Sequence, residues 1–384
     1  MATSPGLKIL LIGDPHVKYD NELEINLALS RLVALIIAEN PDVVIVLGDI
    51  LHKHEKIDMG PLHRASAFLL ALQSVSRHLI VLIGNHDRRN NKVFQTDEHP
   101  FNMLKLWPRT TVVDKALVLD LINSEGKKYP FACVPYVEAG RFEEALTTAD
   151  MKKPYKEVNA IFAHQEFKGS KMGAITSNDG DPWDLTHPDV WSGHIHDDQT
   201  LPTKEGNIHY IGTPIQHGYG DKTNKTVSFL YYVPVEGVEG RVRLDRRVRV
   251  SLGIPRKIEV TLTPEELAVY EHVPDTHVKI RVEGLATVIK QVMQLDHVIK
   301  LSKTHGVRII TVDTTPMNKL PLPSERGSTP VVKQGLQMRL HKAAHKQGPE
   351  LLAVWNHLFG SVTLAVTPPR SRLKVVSGGI ITGP

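Results

Sequence analysis

Five groups of polar residues stand at the carboxyl ends of apolar runs, and they share side-chain types that bind metal ions. In chain order they are GDPH at 13–16, GD at 48–49, GNHD at 84–87, AH at 163–164 and SGHIH at 192–196. In open α/β sheets, ligands bind in the crevice beyond the carboxyl ends of the strands. One such group alone is typical of a turn or a cap. All five in this order, each after a predicted strand, favour one shared metal site at one edge of a sheet.

The donors in these groups suffice for two divalent ions. The candidate metal ligands are Asp14, His16, Asp49, Asn85, His164, His194 and His196. Two-metal hydrolytic sites hold their ions about 3.5–4 Å apart, and waters with one bridging carboxylate complete such a set. Imidazole and carboxylate donors without thiolate favour Mn²⁺, Fe²⁺ or Zn²⁺ over Ca²⁺ or Mg²⁺. We therefore expect two divalent ions, Mn²⁺ first, with Fe²⁺, Zn²⁺ and Mg²⁺ as alternatives.

The elements that must position these groups alternate between strand and helix. Short apolar runs predict strands at 7–12, 43–47, 80–83, 160–163 and 190–191. The first two strands are separated by apolar residues at helical spacing from Ile25 to Ile37, and Pro61 opens the helix before the third strand. This β-α-β-α-β order predicts a parallel sheet with right-handed crossovers. Strands at 208–211, 227–233 and 241–250 follow without helices, so antiparallel strands complete the sheet.

The composition is that of an ordinary globular protein with a mild excess of positive charge. The 384 residues are 41% hydrophobic and 23% charged, with a net charge of +4 that permits a nucleic-acid partner without demanding one. The single cysteine, Cys133, lies in an apolar run and excludes an internal disulfide, so a reducing compartment is expected. No signal-like start and no apolar run near the ~20 residues of a bilayer span are present. We expect an intracellular protein without a membrane partner, in the cytoplasm, the nucleus or, if it is viral, the host cell.

The sequence pattern changes near residue 253 and again after residue 313. Strands predicted at 257–262, 278–282 and 307–312, with a helix at 288–301, indicate a small α+β capping domain over 253–313. Residues 314–332 are rich in Pro, Ser and Thr, which is typical of a linker. A helical tail with a disordered end is predicted over 333–384. Its apolar stripe must be buried on its own domain or on a partner, and comprises Leu351, Leu352, Trp355 and Leu358.

The ordered set GDPH, GD, GNHD, AH and SGHIH resembles the calcineurin-like metallophosphoesterase superfamily over residues 7 to about 230. The resemblance implies a two-sheet α/β/β/α sandwich with a dinuclear metal centre, and residues 1–252 are expected to form this domain. Two further features are similar to the double-strand-break repair nucleases, namely GDILH, which includes His52, and IHYIGTPIQHGYGD at 208–221. That group comprises the meiotic-recombination-eleven family, SbcD and the recombination endonuclease subunits of phages.

Matched residue by residue, the resemblance implies a role for each candidate. The ligands of one ion would be Asp14, His16 and His196, those of the other Asn85, His164 and His194, and the bridge Asp49. Both ions would assist in-line attack on a phosphodiester. The catalytic residues would be His86 as general acid on the phosphate, Asp87 holding the His86 ring, and His52 positioning the substrate.

The resemblance therefore implies a two-metal DNA nuclease, with exonuclease and endonuclease action both open. Its partners would be DNA and, through the tail, an ABC-type coiled-coil ATPase of the SbcC class, and a homodimer stays open. The alternatives are a phosphoesterase acting on nucleotides, phosphoproteins or small diesters, and a non-catalytic scaffold. The Ser/Thr phosphatase branch is disfavoured because it has Glu after its GNH motif. Residues 167–183 do not map onto the nuclease pattern.

Other polar residues have two interpretations each. An arginine stripe on the strand at 241–250 is expected to be a solvated face rather than a phosphate-binding one, and comprises Arg241, Arg243, Arg247 and Arg249. His217 either lines the cleft or stands outside it. Ordinary surface or core roles are expected for His54, His63, His78, His99, His187 and His209.

Overall fold

The computed structural model describes residues 6–54, 56–148, 154–184, 186–202 and 207–314. These residues fall into two compact units. The first runs to Val260 and includes Glu271–Lys279, and the second comprises Thr261–Tyr270 and the described residues from Ile280. The predicted tail, and the predicted linker beyond Thr314, lie outside the described residues, and the predicted domain boundaries stay predictions.

The strands of the described residues are β1 Leu7–Ile12, β2 Val43–Val46, β3 Leu79–Leu82, β4 Thr110–Val113, β5 Leu117–Ile122, β6 Lys128–Val134, β7 Ile161–His164, β8 Lys171–Met172, β9 Ile175–Thr176, β10 Val190–Gly193, β11 Gln199–Pro202, β12 Asn207–Tyr210, β13 Val227–Pro234, β14 Val242–Val250, β15 Arg256–Leu262, β16 Thr276–Gly284 and β17 Arg308–Asp313. The helices are α1 Glu22–Glu39, α2 Met59–Val75, α3 Phe142–Thr148, α4 Pro264–Ala268, α5 Ala286–Val292 and α6 Asp296–His305.

The first sheet has the order β14-β13-β1-β2-β3-β4. The four strands β1 to β4 are parallel, as β-branched runs joined by helices predict, whereas β13 and β14 are antiparallel. The connecting helix α1 ends at Glu39. The Asn40 N–H still bonds the Ile36 carbonyl, and the left-handed backbone of Asn40 (φ 43°) then turns the chain out of the helix. The β-α-β-α-β prediction is confirmed, and α2 begins two residues before Pro61.

The second sheet has the order β11-β12-β10-β7-β6-β5. Its central strands β12, β10, β7 and β6 are parallel, and an antiparallel strand closes each edge. From the strand pattern alone, the later strands were expected in the same sheet as β1 to β3, whereas the family resemblance implied two sheets. The first expectation was wrong, because β7 and β10 pair with each other and with β6 rather than with β1 or β3.

Alternate residues of the strands build three apolar layers. Ile9 and Ile45 point between the sheets and pack with Phe162 and Trp191 of the second sheet. Their neighbours on β1 and β2 point outward and pack against α1 and α2, while the outer face of the second sheet is covered by α3 and the segments around it. This period of two makes each sheet apolar on both faces. The α/β/β/α sandwich is therefore confirmed. Cys133 lies in the inner layer, where burial raises the pKa of its thiol to about 12.

The second unit contains the short helices α4, α5 and α6 and the strand β17, with parts of β15 and β16. A capping box starts α4, since Thr263 Oγ1 accepts from the Glu266 N–H and Glu266 Oε2 accepts from the Thr263 N–H. The single helix predicted at 288–301 is two helices, which meet near Leu295. No helix in the described part of the chain is long and apolar enough to cross a membrane.

Candidate metal centre

All seven predicted metal ligands lie at the carboxyl ends of parallel strands, and these strands come from both sheets. The first sheet contributes residues after β1, β2 and β3, namely Asp14, His16, Asp49 and Asn85. The second contributes the last residue of β7 and residues after β10, namely His164, His194 and His196. Two polar strand edges thus face each other across the sandwich. The predicted roles of these residues remain predictions, whereas their proximity is observed.

One group of donors gathers around His16. Its Nε2 lies 3.0 Å from Nε2 of His196 and 3.6 Å from Oδ2 of Asp49. Asp14, His16 and Asp49 can each offer one donor atom, with all three atoms within 4.8 Å of one another. Asp14 is fully buried, and its Oδ2 accepts from the His194 backbone N–H over 2.8 Å.

A second group of donors gathers around Asn85. Its Oδ1 lies 3.0 Å from Nε2 of His164 and 3.0 Å from Nδ1 of His194. Asp49 Oδ2 lies 3.3 Å from the same His164 nitrogen. Asp49 therefore faces both groups with one oxygen, which is the position that a bridging carboxylate needs.

The distances and the proton positions in both groups fit cations. Two donor atoms that bind one ion at right angles, each about 2.1 Å from it, are about 3.0 Å apart. The closest donor pairs of both groups have this separation. His164 Nδ1 lies 2.7 Å from the Leu47 carbonyl oxygen, which only accepts, so Nδ1 carries the hydrogen. In the neutral ring, Nε2 then turns a lone pair toward the oxygens of Asp49 and Asn85, an arrangement that requires a proton or a metal ion. Asp14 Oδ1 is likewise buried without a hydrogen-bond partner among the described residues.

The protonation equilibria of the centre follow from burial and from the two aspartates. Burial alone would lower the pKa of His164, but the carboxylates of Asp49 and Asp14 outweigh it and raise this pKa to about 9. Burial raises the pKa of Asp14 to about 8. Burial would also raise the pKa of Asp49, yet the surrounding histidines, His164 first, hold it well below its usual value. Asp49 thus stays ionised, as a bridging ligand must.

Three further histidines of the centre, His16, His196 and His217, are neutral. Burial lowers the pKa of His196 to about 4 and holds the pKa values of His16 and His217 well below their usual value. A neutral imidazole offers the lone pair that a metal ion binds.

The backbone is strained at three of the predicted ligands. His16, Asp49 and His194 have positive φ angles of 45°, 48° and 77°, which side-chain-bearing residues rarely adopt. Such conformations cost on the order of 1–3 kcal/mol each and cluster at functional sites. Close approach adds to this, because a Cβ atom on Gly84 would lie 2.2 Å from Asp49 Oδ1. Gly84 is therefore needed for the Asp49 carboxylate to reach its place.

The predicted catalytic histidines flank the centre on one side. His86 Nδ1 donates to the His52 carbonyl oxygen over 2.6 Å, and Nε2 lies 3.9 Å from Asp49 Oδ2. The His52 ring lies parallel to the His86 ring at 5.9 Å between centroids. The His54 ring, which the sequence analysis treated as ordinary, lies closer still, at 3.9 Å. Burial lowers the pKa of His86, so a proton on Nε2 has to be favoured by an anionic substrate.

The predicted contact between Asp87 and the His86 ring is not made. The Asp87 carboxylate accepts from the backbone N–H groups of Gly84, Ile50 and Leu51 at 3.1, 3.2 and 2.9 Å. It therefore joins the turn after β3 to the turn after β2, while the His52 carbonyl orients the His86 ring. The 3₁₀ turn over Asn85–Asp87 directs neighbouring side chains in different directions, so Asp87 does not face the ring of His86.

Some supporting residues had no clear signal in the sequence. Glu166 Oε2 lies 3.8 Å from His194 Nε2, opposite the nitrogen that faces Asn85. Such a carboxylate fixes the tautomer of a metal-ligating histidine.

The arginine stripe is divided by a register shift at Tyr231/Tyr232, and Arg247 pairs with Asp198. The stripe is therefore neither a uniform solvated face nor a free phosphate-binding one.

Comparisons with known proteins identify a family and several similar proteins. The model of the calcineurin-like phosphoesterase family matches residues 7–198. A phosphoesterase-type protein of Invertebrate iridescent virus 6, 244L, is 37% identical over 72% of this chain and 94% of its own length. Its counterpart 078R of Invertebrate iridescent virus 3 is 40% identical over 58% of this chain and 62% of its own length, less than two thirds of that protein. The solved structure of GAP50, the anchor in the inner membrane complex of Plasmodium, covers 65% of this chain and 89% of its own at 12% identity, with a TM-score of 0.37.

The chain belongs to the calcineurin-like phosphoesterase family. Calcineurin-like phosphoesterases bind divalent metal ions, and the clustered aspartates and histidines of this chain suit that chemistry.

Proposed function

We propose that the protein is a two-metal DNA nuclease of the double-strand-break repair and recombination type. The observation that carries this proposal is the fixed orientation of His86 beside Asp49, with Nδ1 held by the His52 carbonyl and Nε2 turned toward the centre. A phosphodiester has a poor alkoxide leaving group. A positioned acid that protonates such a group contributes about 10²–10⁴-fold to the rate.

Each group of the centre then has a defined task. Two divalent ions, Mn²⁺ first, would be held by the seven ligands described above and would supply water activation and charge neutralisation. His86 would hold the proton for the leaving oxygen at Nε2. The His52 and His54 rings, whose centroids lie 5.9 and 3.9 Å from that of His86, would restrict this ring and border the leaving group.

Cationic groups beside the centre suit a phosphate chain. A shallow depression next to His52 is bordered by Lys18, Tyr19 and Lys56. Arg88 follows the His86–Asp87 turn and is 3% exposed. Its Nη1 donates to the Tyr136 carbonyl, but Nε and Nη2 have no partner among the described residues. A buried guanidinium with unused donors suits a phosphate oxygen.

The substrate class can be tested with the purified chain and Mn²⁺. Linear, hairpin and closed circular DNA should be cleaved, and bis-p-nitrophenyl phosphate should be hydrolysed faster than the monoester. The choice among the three DNA forms separates exonuclease from endonuclease action. His52→Ala should reduce DNA cleavage more than hydrolysis of the small diester, whereas His63→Ala, an exposed histidine on α2, should change neither. Hydrolysis of nucleotides or monoesters alone would overturn the proposal in favour of a small-molecule phosphoesterase.

The proposed partner of this nuclease is an ABC-type coiled-coil ATPase of the SbcC class, bound through the tail at 333–384. Support comes from the stripe at Leu351, Leu352, Trp355 and Leu358 after a Pro-rich segment. A chain that ends before Pro330 should keep hydrolysis of the small diester and lose co-purification with such an ATPase. Unfolding of the shortened chain would show that the stripe belongs to the core. Size-exclusion chromatography with light scattering tests the homodimer.

A further inference from the structure

His217 lies in the loop after β12, and hydrogen bonds hold this loop on both sides of the residue. The Asp221 carboxylate accepts from the backbone N–H groups of His217 and Gly218 over 2.7 and 3.2 Å. Lys18 Nζ donates to the His217 carbonyl oxygen over 3.2 Å. The His217 side chain therefore projects from a backbone that is fixed at both its N–H and its C=O.

The His217 ring has one nitrogen in use and one without a partner. Nε2 lies 3.1 Å from the backbone carbonyl oxygen of Asp14. Since a carbonyl oxygen only accepts, Nε2 carries the hydrogen and Nδ1 of the neutral ring keeps a lone pair. Nδ1 is buried and meets no hydrogen-bond partner in the part of the chain that the structure describes. A carbonyl that fixes the tautomer through the other nitrogen is the usual support of a metal-ligating histidine.

The ring also stands against two predicted ligands of the first ion. Its centroid lies 4.8 Å from that of His16 and 5.0 Å from that of His196, both in edge contacts. One nitrogen from each of the three rings lies within 4.8 Å of the other two. Two nitrogens that bind one ion from opposite sides, each about 2.1 Å from it, are about 4.2 Å apart. The three ring nitrogens, which are within 4.8 Å of one another, would therefore have to approach each other by about 0.6 Å at most to bind the same ion.

We infer that His217 is a third imidazole ligand of the ion that Asp14, His16 and His196 hold. The first site then combines three imidazoles with Asp14 and the shared Asp49. Three imidazoles favour Mn²⁺, Fe²⁺ or Zn²⁺ over Mg²⁺ at this position. The inference rests on divalent metal binding and is independent of DNA as the substrate.

Cadmium NMR counts the imidazole ligands directly. The full chain, labelled with ¹⁵N in its histidine rings and loaded with ¹¹³Cd²⁺, should show couplings from three histidines to one cadmium and from two to the other. His217→Leu keeps an apolar side chain in the loop and removes the nitrogen. The first cadmium should then lose one coupling, and its affinity by calorimetry should fall by about 100-fold, the upper end of what the loss of a supporting partner costs. The second cadmium should keep its couplings.

His209→Leu is the matched control, because the His209 ring stacks on Trp191 at 4.1 Å and belongs to none of the metal-ligating groups among the described residues. It should leave both sites unchanged. Two couplings at the first cadmium of the unsubstituted chain would overturn the inference. They would make His217 a support for His16, whose Nδ1 is also buried without a partner among the described residues. This count needs no variant to fold, and failure of the chain to cut DNA would not alter it.

Discussion

Metal ions and protons should compete for the centre, and this competition can be measured. In the metal-free protein the pKa of His164 is raised to about 9 and that of Asp14 to about 8. Both groups therefore hold protons at pH 7, whereas His16 and His196 are neutral. A divalent ion needs the deprotonated form of each ligand, so its binding must release one to two protons.

The magnitude follows from the size of the shift. At pH 7, the protonated form of a group with a pKa of about 9 outnumbers the deprotonated form by about 100 to one. The apparent metal affinity is therefore weakened by about 100-fold. Between pH 6.5 and 8.5 the affinity should rise by about 100-fold for one displaced proton, and further if Asp14 also releases its proton.

The assay is anaerobic calorimetry of Mn²⁺ binding to the metal-free chain over this pH range, in buffers with different ionisation enthalpies. The dependence of the heat on the buffer gives the number of protons released. His164→Gln should release about one proton fewer than the unsubstituted chain. His209→Gln should release the same number, because burial lowers the pKa of His209 to about 4 and its ring carries no proton at pH 7. An affinity that does not change with pH, or the same release from His164→Gln, would refute the reasoning.

Three further predictions concern the same centre. The raised pKa of His164 stabilises the metal-free fold by on the order of a few kcal/mol, and this contribution is complete below pH 6.5. It is lost as the pH rises through 9. Without metal, the Tm measured by calorimetry should therefore fall over that range. Asp49→Ala should lose both ions and hydrolysis together, and one retained ion by elemental analysis would contradict this. His86→Ala should keep both ions and lower the rate by about 10²–10⁴-fold, less for substrates with good leaving groups, whereas Asn85→Ala should weaken metal binding itself.

The sequence by itself determined the ligand types and the local structures that carry them. An apolar, β-branched run that ends at Gly and a polar residue predicts a strand followed by a turn. This prediction depends only on residues that are adjacent in the chain. This is why β1, β2 and β3 and the residues after them could be predicted, with the motif order that indicated the family. The period of two along β1 and β2 likewise requires apolar layers on both faces.

Only the tertiary structure decided how these strand ends meet. His16 and His196 are 180 positions apart, and the chain places them 3.0 Å apart by building two sheets, whereas the strand pattern taken alone indicated one. Pairing between strands that are distant in the chain depends on packing across the sandwich, and this packing cannot be predicted from a local sequence pattern. The same reason explains why His54 and Glu166 carried no distinct signal and why the role of His217 stayed open, since the importance of all three comes from neighbours that are remote in the chain. Asp87 shows the reverse, because a side chain beside His86 in sequence turned out to hold the backbone instead.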